Sequence, residues 1–239
     1  GAQFGYVDEN WMIRAMAIQG GAQFRAANAP VEGTDVPSRL NNFAVDANYT
    51  FHMDGENQLM LGASYEHGSP YCQSYPVFHL NPCDENNPAW AAYGRLDLAG
   101  LELLGEFAET TDVWPGSAVP DPTNPLSVYE AQKTRSWTVG GRYGLGGTLL
   151  SGKRDSYVSL EFSKFRAGDD GAPWERQNQV VLGYSKYLID NVNLFGEVIR
   201  ADGFAPLNFV SGGNFPDGST WSDKDAKTDV LLVGIHSAF

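Results

Sequence analysis

Between positions 43 and 51 the chain reads FAVDANYTF, and no other stretch restricts the fold as tightly. Phe43, Val45, Ala47, Tyr49 and Phe51 alternate with Ala44, Asp46, Asn48 and Thr50. That period of two is what a β-strand with one apolar and one polar face requires. Asp54-Gly55 supplies turn chemistry, and Leu59, Leu61, Ala63 and Tyr65 lead back. A strand of this kind needs an apolar medium on one side only, so the question becomes what that medium is.

The same pattern recurs along the chain. Ala2, Phe4 and Tyr6 resemble the tail of an earlier strand, ended by Asp8-Glu9-Asn10. Trp11 to about Phe24 is strand-like, with Gly20-Gly21 as a bulge or bend. Trp90–Leu98 and Leu101–Thr111 predict a hairpin about Ala99-Gly100. Trp137 to Tyr143 lead down to a turn at Gly144-Leu145-Gly146-Gly147, and Val158, Leu160 and Phe162 lead back. Gln177–Leu188 and Val192–Arg200 meet at Asp190-Asn191, and Thr228–Phe239 ends the chain.

The expectation is an all-β chain of about 10–12 antiparallel up-and-down strands. Its connections sort by length. Short turns at Asp8, Asp54, Ala99, Gly144 and Asp190 alternate with long loops over about 27–39, 68–89, 113–133, 168–175 and 201–227. A soluble sandwich gives no reason for such sorting, whereas a barrel inserted from the periplasm keeps short turns inside and long loops outside.

Hydropathy agrees. No run of about 18 apolar residues exists, and the mean hydropathy of −0.31 excludes helical membrane spans. Alternating strands average out in any such window. Parity then separates a lipid face, with Phe43, Val45, Tyr49, Leu59, Leu61, Leu96, Leu103, Phe107, Val139, Val158, Leu160, Leu182 and Leu194, from a lumen face. The lumen face carries Arg14, Asp46, Asn48, Glu66, Arg95, Asp97, Glu102, Glu106, Arg142, Glu161, Glu197 and His236. Charged side chains facing lipid would cost about 2–4 kcal/mol each near the midplane, so the charged parity must face water or paired partners. Trp11, Phe51, Tyr65, Trp90, Tyr143 and Tyr187 fall near strand ends, where aromatic belts belong.

The final twelve residues, TDVLLVGIHSAF, place Leu231, Val233, Ile235 and Phe239 on one parity. They resemble the C-terminal strand of Gram-negative outer-membrane β-barrels, with Ser237 where an aromatic is usual. YGRLDLAGLELLGEF and YVSLEFSKF are similar to strand-turn-strand units of substrate-specific porins. This resemblance implies a single transmembrane β-barrel domain in the bacterial outer membrane with a periplasmic C-terminus. It further implies contact with outer-membrane lipid and lipopolysaccharide, and assembly as a homo-oligomer or with a surface partner. The lumenal arginine series of phosphate-selective channels has no counterpart, nor has an energy-coupling box.

A net charge of −13 argues against nucleic acid. Three Arg against seven Asp or Glu make the lumen acidic and favour cations. The expected function is therefore a passive, mildly cation-preferring channel for small solutes or ions, with Asp97, Glu102, Glu106 and Arg95 shaping the constriction. The alternative is a closed barrel acting as a surface anchor or partner-binding protein through its loops. The chain at Gly1 opens without a leader-like segment, so the sequence is expected to be mature or a piece.

Cys72 and Cys83 flank a Tyr- and Pro-containing loop and are expected to form a disulfide in an exported protein, worth roughly 3 kcal/mol by chain entropy. Metal binding by the pair with His79 is the other reading, and it lacks a complete tetrahedral set. Asp169-Asp170 and Asp223-Lys224-Asp225 follow no calcium-loop pattern and read as solvated loop faces. Among His52, His67, His79 and His236, only His67 with Ser69 suggests catalysis, without a specific spacing. No enzyme, cofactor or metal site is expected.

Overall fold

The computed structural model describes residues 1–19, 40–55, 57–69, 86–113, 132–149, 152, 154–168, 175–203 and 225–237. They form eleven strands and no helix. In order these are β1 (Ala2–Val7), β2 (Trp11–Gln19), β3 (Leu40–His52), β4 (Gln58–Glu66), β5 (Ala89–Leu98), β6 (Leu101–Thr110), β7 (Arg135–Thr148), β8 (Arg154–Arg166), β9 (Arg176–Ile189), β10 (Val192–Gly203) and β11 (Ala226–Ser237). Each pairs antiparallel with its neighbours in the sequence, in one sheet ordered β1 to β11. The architecture is thus the expected all-β, antiparallel up-and-down arrangement of barrel type. Every short turn lies at one end and every long connection at the other.

The register carries the stagger that a barrel wall requires. One row of paired residues runs Tyr6, Ile13, Ala47, Ala63, Ala92, Phe107, Trp137, Lys164, Asn178, Asp202, Lys227. It starts next to the short-turn end of β1 and finishes next to the long-loop end of β11. If the short-turn ends are level, Tyr6 is level with His236, and the row has climbed from 236 to 227, nine residues over ten pairings. The drift is roughly one residue per strand, the sense and size of a tilted, sheared cylinder wall.

Local chemistry explains the turns. Ala99 and Gly100 both have positive φ, 46° and 89°, which makes the two-residue turn between β5 and β6 a type I′ hairpin. Its Ala99 amide donates to Asn57 Oδ1 at 3.0 Å. Asp8 closes the β1–β2 turn by accepting from the amides of Asn10 and Trp11 at 2.9 and 2.7 Å and from the Tyr6 hydroxyl at 2.7 Å.

Two details depart from the sequence expectation. Gly144 to Gly147 do not turn the chain but lie inside β7, which continues to Thr148. Gly146, at φ 73°, instead makes a bulge where the register shifts between Leu145 and Thr148, and the turn follows at Leu149–Gly152. Tyr187 is not part of an outer aromatic belt. It pairs with Asn193 on the opposite face and meets Tyr157 edge-on at 6.3 Å.

No conventional core holds the described residues together. The one buried hydrophobic side chain is Ala167, while Leu182 is 52%, Val198 54% and Leu231 73% exposed. Among the described residues, five of the seven buried polar side chains, Asn42, Ser69, Asn87, Thr110 and Thr134, cluster at the long-loop ends of β3 to β7. Asn42 Nδ2 donates to Gly68 O at 3.0 Å, Ser69 N to Asn87 O at 2.9 Å, and Thr134 N to Thr110 Oγ1 at 3.1 Å. Among the described residues β1 pairs only with β2 and β11 only with β10, so the closing partnership expected of the last strand is absent there. Residues 238–239 lie outside the described residues.

Candidate functional site

Register partners share a face, so the pairing assigns every strand residue to a side. One face is apolar: Leu59, Leu96, Leu103, Gly141, Leu160, Leu182, Val198 and Leu231 form a single row. All thirteen residues expected on the lipid side lie on this face. Its aromatics gather toward the strand ends. Trp11 meets Tyr49 at 4.9 Å, Tyr49 meets Phe51 at 4.6 Å, and Trp90 meets Phe107 at 5.4 Å.

The opposite face holds all of the expected site residues: Arg14, Asp46, Arg95, Asp97, Glu102, Glu106, Arg142, Glu161, Glu197 and His236. They divide into two groups. Near the short-turn end, Arg95 bonds both Asp97 (3.1 Å) and Glu102, and Glu102 also accepts from Arg142 at 3.0 Å. Gln58 Nε2 donates to Asp97 at 2.7 Å, and the Arg142 guanidinium lies 5.1 Å from the Tyr157 ring centroid. Two arginines and two carboxylates therefore neutralise one another, and this group contributes little net field.

The second group sits higher. Correcting the register for the drift of roughly one residue per strand brings Asp46, Glu106, Glu161 and Glu197 to one level. The row through Glu106 meets β8 at Ser163, two residues above Glu161. The row through Glu161 meets β10 at Ile199, two above Glu197. Arg14, paired with Asp46 across β2 and β3, is the cation of this belt. None of these carboxylates has an ion pair among the described residues. Asp46 accepts from the Tyr93 hydroxyl at 2.6 Å, and Glu161 accepts from Ser163 at 3.0 Å. Glu106 is exposed.

Tyr93 is a site residue that the charge pattern misses. Its ring lies across Gly62, where any Cβ would collide with it, and its hydroxyl bridges Asp46 and Asn48. Period two does reach it, because Tyr93, Arg95 and Asp97 share one parity. Above the belt, small residues Ala44, Ser64 and Ala89 leave a hollow of about 530 Å³ between Arg14, Asp46 and Glu66.

The polar face is not polar throughout. Over β9 to β11 it carries Val181, Ile199, Val230, Leu232 and Phe195, so that sector is apolar on both sides. The remaining sequence candidates do not assemble into chemistry. The His67 ring stacks on Phe43 at 5.1 Å, while Ser69 is 2% exposed. Among the described residues no group of three or more His, Cys, Asp or Glu could hold a metal ion. Cys72, Cys83, His79, Asp169-Asp170, Asp223 and Lys224 lie outside the described residues.

No known family model matches the chain, and no curated protein matches its sequence. Solved structures do. The outer-membrane expressed OmpT of Vibrio cholerae aligns with a TM-score of 0.48 and 11% identity, over 98% of this chain and 63% of that one. The outer membrane channel DcaP of Acinetobacter baumannii aligns with a TM-score of 0.48 and 13% identity, over 99% of this chain and 61% of that one. In-vitro folded OmpT of Vibrio cholerae gives 0.48 and 13%, over 98% and 62%. The chain thus spans about three fifths of the length of the solved structures it is similar to.

Proposed function

We propose that the chain forms the wall of a bacterial outer-membrane channel that passes small solutes or ions with a mild preference for cations. The apolar face supports the membrane setting. Its rows of half-exposed Leu, Val and Phe far exceed the few hundred Å² of apolar surface that a soluble monomer tolerates, and aromatics rim it. A sheet in hydrocarbon needs both edges satisfied, so β1 and β11 meet each other or further strands in a closed cylinder. The long loops then face outward, and the short turns and the end of β11 face the periplasm.

The observation that carries the selectivity is the level belt of Asp46, Glu106, Glu161 and Glu197 against the lone Arg14. Carboxylates lining a watery passage raise the local cation concentration and repel anions. Arg95, Asp97 and Glu102, expected to shape the constriction, are instead matched internally with Arg142, which leaves Glu106 of that set as the free charge.

Planar-bilayer recording in a potassium chloride gradient tests both parts. A cation-preferring reversal potential is expected, reduced toward zero in Glu106→Gln with Glu161→Gln. An anion-preferring potential would refute the selectivity. Absence of conductance from inserted protein would sink the channel in favour of a closed, partner-binding barrel.

A further inference from the structure

We propose that the polar face of β9 to β11 is a binding site for an organic cation, a quaternary ammonium carrying an apolar body, with Glu197 as its anchor. The site rests on the reading that this face borders water in a barrel interior, and it does not require an open lumen. Among the described residues, Glu197 is the one carboxylate on this face of the three strands, and no Lys or Arg stands there. Its carboxylate has no hydrogen bond or ion pair among the described residues. Along its row the first cation is Arg142, three strands away and already bonded to Glu102. The charge that balances Glu197 therefore comes from the solution that bathes this face.

Its surroundings select the kind of cation. Glu197 pairs with Gly183 on one side and Leu232 on the other, and Phe195 and Ile199 precede and follow it on the same face. Ile199 in turn pairs with Val181 and Val230. Elsewhere in the belt the carboxylates have polar company: Asp46 accepts from Tyr93, and Glu161 from Ser163. A hydrated inorganic ion gains nothing from apolar walls, and drying a carboxylate beside them is costly without a partner of opposite charge. A weakly hydrated cation that brings apolar surface of its own offsets both.

Two glycines shape the surface. The Phe195 ring lies across Gly234, where any Cβ would collide with it, so the ring is laid along the wall beside Glu197 rather than projecting from it. At Gly183 a Cβ would collide with the Ser159 hydroxyl and touch Glu197 Cγ at 3.6 Å, so this glycine leaves room for the carboxylate stem. An aromatic ring and a carboxylate two residues apart on one face are the pair that holds a quaternary ammonium, since charge and ring quadrupole both attract it and neither needs a donor. From Phe195 to Ile199 the site runs about 13 Å at about 3.3 Å per residue, and three strands make it about 10 Å wide. That extent matches one arylalkyl ammonium.

The test compares benzyltrimethylammonium with tetramethylammonium, which share a charge and differ in apolar body. Each is titrated against the purified full-length protein in phosphatidylcholine nanodiscs, with empty nanodiscs as the blank, and affinity is read by saturation-transfer NMR of the cation. Wild type should bind the benzyl compound about tenfold more tightly, the order expected for a phenyl ring partly removed from water. Glu197→Gln should weaken that binding by about tenfold, and Phe195→Leu, which keeps the apolar bulk, by about two- to fivefold. Equal affinity of wild type for the two cations, a comparison that needs no variant to fold, would overturn the site, as would an affinity unchanged in Glu197→Gln. Potassium conductance is recorded in planar bilayers from the same preparation, with and without the benzyl compound. A silent protein that binds it refutes the channel and keeps the site, whereas a conducting protein that neither binds it nor is blocked by it does the opposite.

Discussion

Placing an arginine at Leu160 tests the assignment of the two faces most directly. Leu160 is the seventh of the thirteen residues of β8, six from either end, and is flanked in its row by Gly141 and Leu182. At about 3.3 Å per residue and a tilt of about 40°, six residues rise about 15 Å, which sets Leu160 near the midplane of an apolar band about 25 Å tall. A charge there costs about 2–4 kcal/mol. With an unfolding slope of about 4 kcal/mol per molar guanidinium, a loss of 3 kcal/mol lowers the midpoint by about 0.7 M. The control is the adjacent Ser159→Arg on the polar face. It places a like charge opposite Arg142, a handicap of up to about 1 kcal/mol, yet its midpoint should fall at most about a third as far. Tryptophan fluorescence during guanidinium unfolding in phospholipid vesicles measures both. Equal midpoints for the two variants would refute the assignment of the apolar face to lipid.

Ala99→Gly should stabilise the protein by about 0.5–1 kcal/mol in the same assay, because it removes the Cβ from a positive-φ position at φ 46°. Gly62→Ala should destabilise by about 1–3 kcal/mol, since the new methyl collides with the Tyr93 ring. Tyr93→Phe leaves that packing intact but strips Asp46 of its 2.6 Å donor, so its expected signature is a change in bilayer ion selectivity with little change in unfolding midpoint. In the β1–β2 turn, the amide of Trp11, with the Tyr6 hydroxyl and the Asn10 amide, holds the Asp8 carboxyl below its usual range. Its contribution is therefore complete above the ordinary aspartate pKa and is lost as pH falls through the lowered folded value. Asp8→Asn should flatten that acid limb of the stability profile, and an unaltered limb would show that other carboxylates set it.

How far the sequence reaches depends on whether a property is carried by parity or by height. Parity is local, so the alternation within each strand suffices to place Asp46 and Glu106 on one face and Leu61 and Leu103 on the other. Departures arise where glycine or tyrosine serves two purposes. Gly144 to Gly147 read as a turn because glycine permits positive φ, but only Gly146 uses it, for a bulge inside β7. Tyr187 read as belt because it is aromatic near a strand end, but its parity after the shift at Val192/Asn193 puts it on the polar face. Height is not local at all. The hairpin register sets Glu106 four residues above Glu102, the partner of Asp97, but only the stagger accumulated across the sheet brings Asp46, Glu161 and Glu197 to the level of Glu106. Contacts between strands are hidden for the same reason: Arg135, Arg166 and Arg176 stand in three separate strands, and nothing within any one strand shows that the register sets them side by side. The level belt of Asp46, Glu106, Glu161 and Glu197 is thus a property of register, which a chain with short turns of fixed geometry at every second connection is well built to hold constant.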